Sequence, residues 1–175
     1  MRVLVLDTSA FIIGFNPLSA GVTSYSVPAV GGELQPDCIA SVRYNTSRES
    51  GRLIIRMPSN SSHKTVLGKS SELGEEYELS EADVQILALA LDLKREGKKP
   101  VVVSDDYSIQ NVAEHLKLEY SSLATFGISY GFNWIHYCPA CFRKYMQGYS
   151  HSTCEVCGTE LERKVLRRLP VRKKN

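Results

Sequence analysis

The sequence lacks the features of several large protein classes. It contains no stretch of about eighteen consecutive apolar residues, so it offers no membrane-spanning helix. It has no phosphate-binding loop of the G-x-x-x-x-G-K-S/T type, and no serine or cysteine nucleophile with a partnered histidine can be recognised. No internal repeat occurs beyond two short cysteine pairs. These absences exclude a P-loop nucleotide hydrolase and argue against hydrolysis through a covalent intermediate.

Acidic residues are missing from the C-terminal segment 163–175, which carries seven basic residues: Arg163, Lys164, Arg167, Arg168, Arg172, Lys173 and Lys174. Subtracting these seven charges from the net charge of +2 leaves −5 for residues 1–162. An acidic body with a basic end favours a carboxylate site in the body and a nucleic-acid contact at the end. A solvated tail without a partner is the alternative. The length of 175 residues and a hydrophobic content of 43% suit one ordinary domain plus a small module.

Cysteine is scarce, and four of the five cysteines lie in two pairs of the same spacing. Cys138 and Cys141 form the first CxxC pair, and Cys154 and Cys157 form the second, twelve residues later. Two such knuckles bring four thiolates together, which is the ligand set of a structural zinc ribbon. Two disulfides, a redox-active pair and rubredoxin-like iron are the alternatives. Cys38 is expected to be a lone, half-buried thiol.

Two short apolar runs, each followed by aspartate and then a helical pattern, indicate an α/β fold. Residues 2–6 form the first run, which ends at Asp7, and residues 101–103 form the second, which ends at Asp105 and Asp106. Buried strands that alternate with helices are typical of parallel sheets. Because the carboxyl ends of such strands meet at one edge, Asp7 and Asp106 should approach each other.

A long helix is predicted to begin at Ser80, since serine followed by Asp83 at the third helical position resembles a capping box. Its apolar face is nearly continuous until Gly97 ends the helix. The polar segment 45–77 is expected to hold one further strand at 53–57 and otherwise a mobile helix or loop.

The predicted elements divide the chain into four parts. Residues 1–125 form the α/β domain, 126–137 a linker, 138–160 the zinc ribbon, and 161–175 a basic C-terminal tail. Because the ribbon is too small to supply the main core, another activity must reside in the first part.

Acidic residues recur where a strand or loop meets a helix, at Asp7, Glu33, Asp83 and Asp106, with Asp105 as an alternative to the last. Each of them alone can be explained as a helix cap or a partner of the helix dipole. Several carboxylates can converge only if a cation offsets their repulsion, and oxygen ligands at a sheet edge suit Mg²⁺ or Mn²⁺. The pattern therefore predicts metal-assisted hydrolysis of a phosphodiester without a covalent intermediate.

The segments around these acids resemble the motifs of PIN-domain ribonucleases over about residues 1–125. Glu33 fits the second acid of that family. A PIN-like domain followed by a linker with Trp134 and by the cysteine pairs is similar to the archaeal Nin-one-binding protein family. The resemblance rests on three segments: VLVLDTSAF at 3–11, LSEADVQILALA at 79–90 and VSDDYSIQNVA at 103–113.

This resemblance implies a PIN-like domain, with a parallel sheet and helices on both faces, followed by a small zinc ribbon. It implies a cytoplasmic endoribonuclease that trims precursor rRNA to the mature 3′ end of small-subunit (16S) rRNA, with a pre-40S/30S-type ribosomal particle as partner. By this analogy Asp7, Glu33, Asp83 and Asp106 hold catalytic Mn²⁺ or Mg²⁺, with Asp105 as an outer or second ligand. One structural Zn²⁺ would bind the four paired cysteines.

The ribbon and the tail are expected to contact RNA through basic and aromatic side chains. Ordinary surface positions and packing within the ribbon are the alternatives, and Trp134 is expected either to stack on bases or to pack one domain on the other. Two other function classes stay open: a toxin-type PIN ribonuclease acting on tRNA or mRNA, and a non-catalytic RNA-binding ribosome-assembly factor. The expected RNA contacts are Arg143, Lys144, Tyr145, Tyr149, His151, Arg167 and Arg168.

Overall fold

A five-stranded parallel sheet forms the larger part of the protein. The computed structural model describes residues 1–75, 77–123, 130–145, 149 and 151–170. The strand order in this sheet is β3-β2-β1-β4-β5, so β1 lies at its centre. Its strands are β1 (Arg2–Leu6), β2 (Ser24–Ser26), β3 (Leu53–Ile55), β4 (Lys99–Val103) and β5 (Glu119–Ser121).

The central strand β1 forms because apolar residues fill the positions that the sheet buries. Val3, Val5 and Leu6 have no exposed surface. Strand β4 pairs with β1 along its whole length and ends with Val103 opposite Leu6. The next residue, Asp7, donates its backbone N–H to the carbonyl oxygen of Val103 at 3.2 Å. The predicted parallel sheet is therefore confirmed, and its two central strands end side by side.

The strands are connected mainly by helices, and the most deeply buried helix is the long one that the sequence predicts. Its capping box at Ser80 and Asp83 is present, and eleven of its fifteen residues are buried. None of the helices within the described ranges is long and apolar enough to cross a membrane. The helices are α1 (Thr8–Ile13), α2 (Pro28–Glu33), α3 (Ile39–Glu49), α4 (Asn60–Leu73), α5 (Glu81–Arg95) and α6 (Tyr107–His115).

The polar segment before α5 forms a regular helix, α4, although few of its residues are apolar. Ser62, Val66 and Ser70 lie on its buried face, so small side chains allow it to pack closely on α5. The buried carboxylate of Asp92 in α5 accepts hydrogen bonds from the backbone N–H of Ser59 and the hydroxyl of Ser62, both at 2.6 Å. Hydrogen bonding therefore contributes to this contact in place of a wide apolar stripe.

A three-stranded antiparallel sheet carries the cysteine pairs, with the order β7-β6-β8. Its strands are β6 (Tyr130–Tyr137), β7 (Lys144–Tyr145) and β8 (Glu162–Pro170). The predicted linker 126–137 and tail 161–175 are thus wrong for 130–137 and 162–170, which pair with each other from Tyr130 opposite Pro170 to Tyr137 opposite Glu162. Residues 162–170 are rich in basic side chains, so they were interpreted as a solvated tail and not as a strand. Backbone pairing does not require apolar side chains on the solvent-exposed face, and the segment can therefore form a strand all the same. Residues 126–129 and 171–175 lie outside the described residues.

Helix α6 binds the second sheet through the side chain of Asn111, which makes the two hydrogen bonds that the backbone of a neighbouring strand would otherwise make. The amide of Asn111 donates to the carbonyl oxygen of Phe132 at 2.8 Å and accepts from its backbone N–H at 2.6 Å. These two bonds satisfy both backbone groups of a residue in β6. Because Asn111 is only 2% exposed, the contact is part of the protein interior.

A buried carboxylate, that of Glu75, lies at the same junction between the two sheets. It accepts hydrogen bonds from Asn111 Nδ2 at 2.8 Å, from Trp134 Nε1 at 2.9 Å and from Arg163 Nη2 at 2.9 Å. The preceding Gly74 has a φ of +71°, and a Cβ there would lie 2.7 Å from the carbonyl oxygen of Trp134. Trp134 therefore packs one domain on the other, which was one of its two expected roles.

Candidate active site and cysteine cluster

Two of the predicted acids converge at the carboxyl edge of the parallel sheet. Asp7 follows β1 and caps α1, and Asp106 follows β4 and caps α6. The hydroxyl of Ser104 joins them, because it donates to Asp7 Oδ2 at 2.9 Å and accepts the backbone N–H of Asp106 at 3.1 Å. The sheet therefore brings together two acids that are separated by most of the chain.

The carboxylate of Asp7 is held in one orientation. Its oxygens accept hydrogen bonds from the backbone N–H of Thr8 at 2.6 Å and from the hydroxyl of Ser9 at 2.8 Å, in addition to that of Ser104. Burial raises the pKa of Asp7, and the hydrogen bonds from Ser9 and Ser104 oppose that increase. Asp7 is thus a preorganised carboxylate with only 4% of its surface exposed.

Asp83 joins these two acids from the N-terminus of α5. It accepts the backbone N–H of Ser80 at 2.7 Å, and its own N–H donates to the hydroxyl of Ser80 at 3.2 Å. Burial raises the pKa of Asp83 to about 6, and the negative charges of Asp7 and Asp106 act in the same direction. The charges of Asp7 and Asp106 therefore reach Asp83 and oppose its ionisation, which a bound cation would relieve.

Glu33, at the end of α2, lies against the same cluster. Thr8 Oγ1 donates a hydrogen bond to Glu33 Oε2, and Ser80 Oγ donates to Glu33 Oε1 at 3.2 Å. Thr8 also binds Asp7 through its backbone N–H, and Ser80 binds Asp83, so these two residues tie Glu33 to Asp7 and Asp83. The sequence analysis missed the positioning role of these hydroxyls, because it interpreted Ser80 only as a helix cap.

Asp105 takes a different position from that of its neighbour Asp106. Its two carboxylate oxygens each accept the backbone N–H of Leu123, at 3.2 Å, just after β5. Its own N–H donates to the hydroxyl of Ser9 at 3.2 Å. These contacts tie Asp105 to the edge of the sheet, while the charge that acts on Asp83 comes from Asp7 and Asp106.

The four paired cysteines form a cluster whose sulfurs all lie within 4.8 Å of one another. Cys138 Sγ is 3.4 Å from Cys157 Sγ, and Cys141 Sγ is 3.5 Å from Cys154 Sγ. A tetrahedral ion with metal–sulfur distances of about 2.3 Å requires sulfur separations of about 3.8 Å. The four thiols therefore fit a metal ion without rearrangement of the knuckles. The turn after the second pair has Gly158 at a φ of +71°, in the left-handed region that favours glycine.

Hydrogen bonds favour the thiolate form at two positions of the cysteine cluster. The hydroxyl of Tyr145 donates to Cys154 Sγ at 2.9 Å and lowers the pKa of that thiol to about 6. The backbone N–H of Cys141 lowers the pKa of Cys138 in the same way. At Cys141, by contrast, a backbone hydrogen bond with Arg143 is outweighed by the Cys154 contact and by burial, which raise the pKa to about 11. Cys138 and Cys154 are thus the two positions where the thiolate, the form that binds a metal, is favoured.

Three aromatic residues predicted to contact RNA pack on each other within the ribbon. Tyr145 is only 5% exposed, and its hydroxyl is bonded to Cys154, so its prediction as an RNA contact is wrong. Tyr149 stacks on Tyr145 with ring centroids 4.3 Å apart, and His151 lies edge-on to Tyr149 at 5.4 Å. Tyr149 keeps part of its surface exposed and His151 is exposed.

The basic residues predicted to contact RNA are exposed on the second sheet and on the knuckle beside it. Arg143 forms an exposed ion pair with Glu155 at 2.9 Å. Lys144 lies in β7, and Arg167 and Arg168 lie in β8. Arg163 was predicted only as part of a basic tail, but it binds Glu75 and lies over the ring of Trp134 at 4.5 Å.

Comparisons with known proteins agree with this geometry. The family described as the PIN domain of ribonuclease matches residues 4–93, which contain Asp7, Glu33 and Asp83. Endoribonuclease Nob1 of Methanothermobacter thermautotrophicus is 37% identical over 161 residues, which are 91% of each chain. Endoribonuclease Nob1 of Methanocaldococcus jannaschii is 34% identical over 167 residues, or 95% of this chain and 80% of that protein. Ribonuclease VapC1 of Thermoplasma acidophilum is 30% identical over 161 residues, or 92% and 77%. The chain therefore belongs to the family of PIN-domain endoribonucleases that the two Nob1 proteins represent.

Proposed function

We propose that this PIN-domain endoribonuclease cleaves precursor rRNA to generate the mature 3′ end of small-subunit (16S) rRNA, in a reaction that depends on a divalent metal ion. The observation that carries the proposal is the acidic cluster at the edge of the parallel sheet, where neighbouring charges help to raise the pKa of Asp83. Likeness to proteins named endoribonuclease Nob1 over about nine tenths of the chain supports the choice of reaction.

The acidic cluster suits a hard divalent cation because its donors are carboxylate oxygens and because a cation would offset the charges of Asp7 and Asp106 that oppose ionisation of Asp83. Asp7, Asp83 and Asp106 would hold Mg²⁺ or Mn²⁺, which lowers the pKa of a bound water and neutralises charge on the phosphate. Ser9 and Ser104 fix the orientation of Asp7 by donating to its oxygens. Their hydroxyls therefore act as positioning groups for the metal ligands.

Glu33 completes the catalytic set in this proposal. It is exposed to solvent, and hydroxyls on two different elements hold its two oxygens, those of Thr8 and Ser80. A carboxylate in that position can accept the proton that water loses as its oxygen attacks phosphorus. The bond from phosphorus to the leaving oxygen breaks in the same displacement. Asp105 accepts a hydrogen bond from the backbone N–H of Leu123 and would stabilise the edge of the sheet beside the metal ligands.

The cysteine cluster would hold one structural Zn²⁺ through Cys138, Cys141, Cys154 and Cys157. Four converging thiols support this assignment, because closed sets of four cysteines are typical of structural zinc. The ion would fix the knuckles beside β6 and β7 and thereby stabilise the surface that they present.

RNA would lie along the exposed basic side of the ribbon, against Arg143, Lys144, Tyr149, His151, Arg167 and Arg168. Arg167 supports this path because it lines a cavity of about 260 Å³ together with Lys69 and His115 from the other domain. A strand of RNA that crosses this cavity would contact both domains at once. The proposed partner is a pre-40S/30S-type ribosomal particle in the cytoplasm, and no membrane is involved.

The test is cleavage of a precursor small-subunit rRNA fragment that spans the mature 3′ end, with Mn²⁺ present and the cut mapped to the nucleotide. We expect one cut at the mature end, and a loss of at least about 100-fold for Asp7→Asn without loss of folding or RNA affinity. Asp37→Asn, at an exposed acid outside the cluster, is the matched control and should cleave normally. Efficient cutting of tRNA or mRNA instead would favour a toxin-type ribonuclease, and binding without any cutting would favour an assembly factor.

A further inference from the structure

A groove lies directly beside Glu33, between α1, the end of α2 and the start of α3. It encloses about 480 Å³, and Ile12, Leu34 and Ile39 supply apolar surface on its walls. Glu33 and Gln35 contribute polar groups to the same lining, as does Arg43. We call this feature the Glu33 groove. The groove and the acidic cluster share Glu33, so a molecule bound in one would be adjacent to the other.

Two apolar side chains that line the Glu33 groove are largely open to water. Ile12 is 65% exposed and Ile39 is 70% exposed. One exposed isoleucine is ordinary at a protein surface, but two on the walls of one concave site, next to catalytic carboxylates, form an apolar surface that a ligand could cover. Binding sites for small molecules combine such apolar walls with a few polar groups.

The polar groups of the Glu33 groove identify the kind of ligand that fits. Arg43 Nη1 donates to the carbonyl oxygen of Phe11 at 3.0 Å, which holds the guanidinium against α1. A guanidinium fixed in this way offers a positive charge to a phosphate and a flat face to an aromatic ring. The exposed amide of Gln35 can donate to and accept from the edge of a base. Apolar walls, one cation and one amide together match a nucleotide better than an apolar peptide.

We propose that the Glu33 groove binds the base of a nucleotide next to the scissile phosphate, with Ile12 and Ile39 as its contact surface. The assignment of the scissile phosphate to the acidic cluster rests on the proposed function above. RNA whose phosphate reaches that cluster extends a ribose and a base to one side of it, and the groove provides a cavity there. The groove would then select which nucleotide can flank the cut.

The test compares a short single-stranded RNA carrying the sequence around the mature small-subunit 3′ end with copies that lack one base, position by position. Affinity is measured in full-length protein carrying Asp7→Asn, so that the RNA stays intact. Loss of one base next to the cut should raise Kd at least about 10-fold, because the apolar surface of Ile12 and Ile39 that the base covers is returned to water. In Ile12→Ala/Ile39→Ala protein the same loss should raise Kd less than about 3-fold, because most of that apolar contact is already absent.

The matched control is Ile13→Ala/Val42→Ala, which removes exposed apolar residues from the same two helices, α1 and α3, without touching the described lining of the groove. It should keep the full effect of the missing base. An equal effect of the missing base in all proteins, or no effect at any position, would overturn the proposal. A changed oligomeric mass of the Ile12→Ala/Ile39→Ala protein without RNA, with base discrimination intact, would assign the groove to a second copy instead. Absence of cleavage by the wild type would overturn the proposed function only, because the groove is tested by binding.

Discussion

Replacing Asp83 by asparagine should stabilise the protein while it abolishes cleavage. The pKa of Asp83 is raised from 3.8 to about 6, first by burial and then by the charges of Asp7 and Asp106. One pKa unit corresponds to about 1.4 kcal/mol, so the full shift would cost about 3 kcal/mol of folding free energy when Asp83 is ionised. Because Asp83 is only half-buried, solvent screening reduces this cost to about 1.5 kcal/mol.

Asparagine keeps the hydrogen bond from the backbone N–H of Ser80 but loses a negative charge at the N-terminus of α5, which costs about 0.5 kcal/mol. The net gain is about 1 kcal/mol, or a rise in Tm of about 2–4 °C for a chain of this size. This gain in stability depends on pH. The wild-type penalty is absent below the unfolded pKa near 4, grows as pH rises to about 6 and is complete above it, so the gain should be seen at pH 8 and vanish at pH 4.

The assay is urea unfolding followed by far-ultraviolet circular dichroism, on zinc-loaded protein without added Mg²⁺ or Mn²⁺. Adding Mn²⁺ should reverse the order of stability, because only the wild type retains the full ligand set and gains free energy from binding. Glu81→Gln is the control in the same turn of α5. A hydrogen bond from Gln85 lowers the pKa of Glu81, so loss of that charge should not stabilise the protein. Asp83→Asn protein that is no more stable than wild type at pH 8 would refute the raised pKa of Asp83, and with it the unfavourable ionised state that a cation is expected to relieve.

Three further predictions concern the acidic cluster, the cysteines and the junction. At limiting Mn²⁺, the rate of cleavage should fall as pH drops below about 6, because Asp83 must lose its proton to bind a cation; initial rates between pH 5 and 8 measure this, and a flat profile would contradict it. Elemental analysis should find one Zn²⁺ per chain, which Cys154→Ser should lose together with the folded ribbon, while iron in its place would indicate an electron-transfer site. Arg163→Met should destabilise the protein by about 3 kcal/mol in urea unfolding, since Glu75 is left as an uncompensated buried charge. The control Arg143→Met, at an exposed ion pair, should destabilise the protein by less than about 1 kcal/mol. Equal losses of stability in the two variants would mean that the ion pair between Arg163 and Glu75 contributes no more than an exposed one.

The acidic cluster could be predicted because its determinants are local. An apolar strand that ends in aspartate indicates both the edge of the sheet and the start of the next helix, as at Asp7 and Asp106. The capping box at Ser80 and Asp83 is likewise contained in four consecutive residues. Parallel pairing of β1 with β4 then places Asp7 and Asp106 at one edge of the sheet, whereas the approach of Asp83 depends on how α5 packs.

The second sheet was only partly predictable, because its two long strands are recognised by their pairing with each other and not by a local pattern in the sequence. Residues 162–170 carry exposed charges, so their pattern resembles a solvated tail until the partner strand at 130–137 is known. The role of Tyr145 depends on its distance from Cys154, which spacing alone does not reveal. Nothing near Glu75 in the sequence indicates that a tryptophan and an arginine far along the chain bind its carboxylate. Contacts of this kind become visible only in three dimensions.

Helix α6 has a consequence for how such proteins could exchange parts by recombination. Its first turn is capped by the acid Asp106, and Asn111, about one turn later, binds the backbone of β6. A chimera joined near residue 125 would therefore place a foreign ribbon against an unmatched helix and an unpaired Glu75. A functional exchange would have to include Gly74, Glu75 and Asn111 together with the ribbon. The part of the chain that must be inherited together is therefore larger than the cysteine-containing segment.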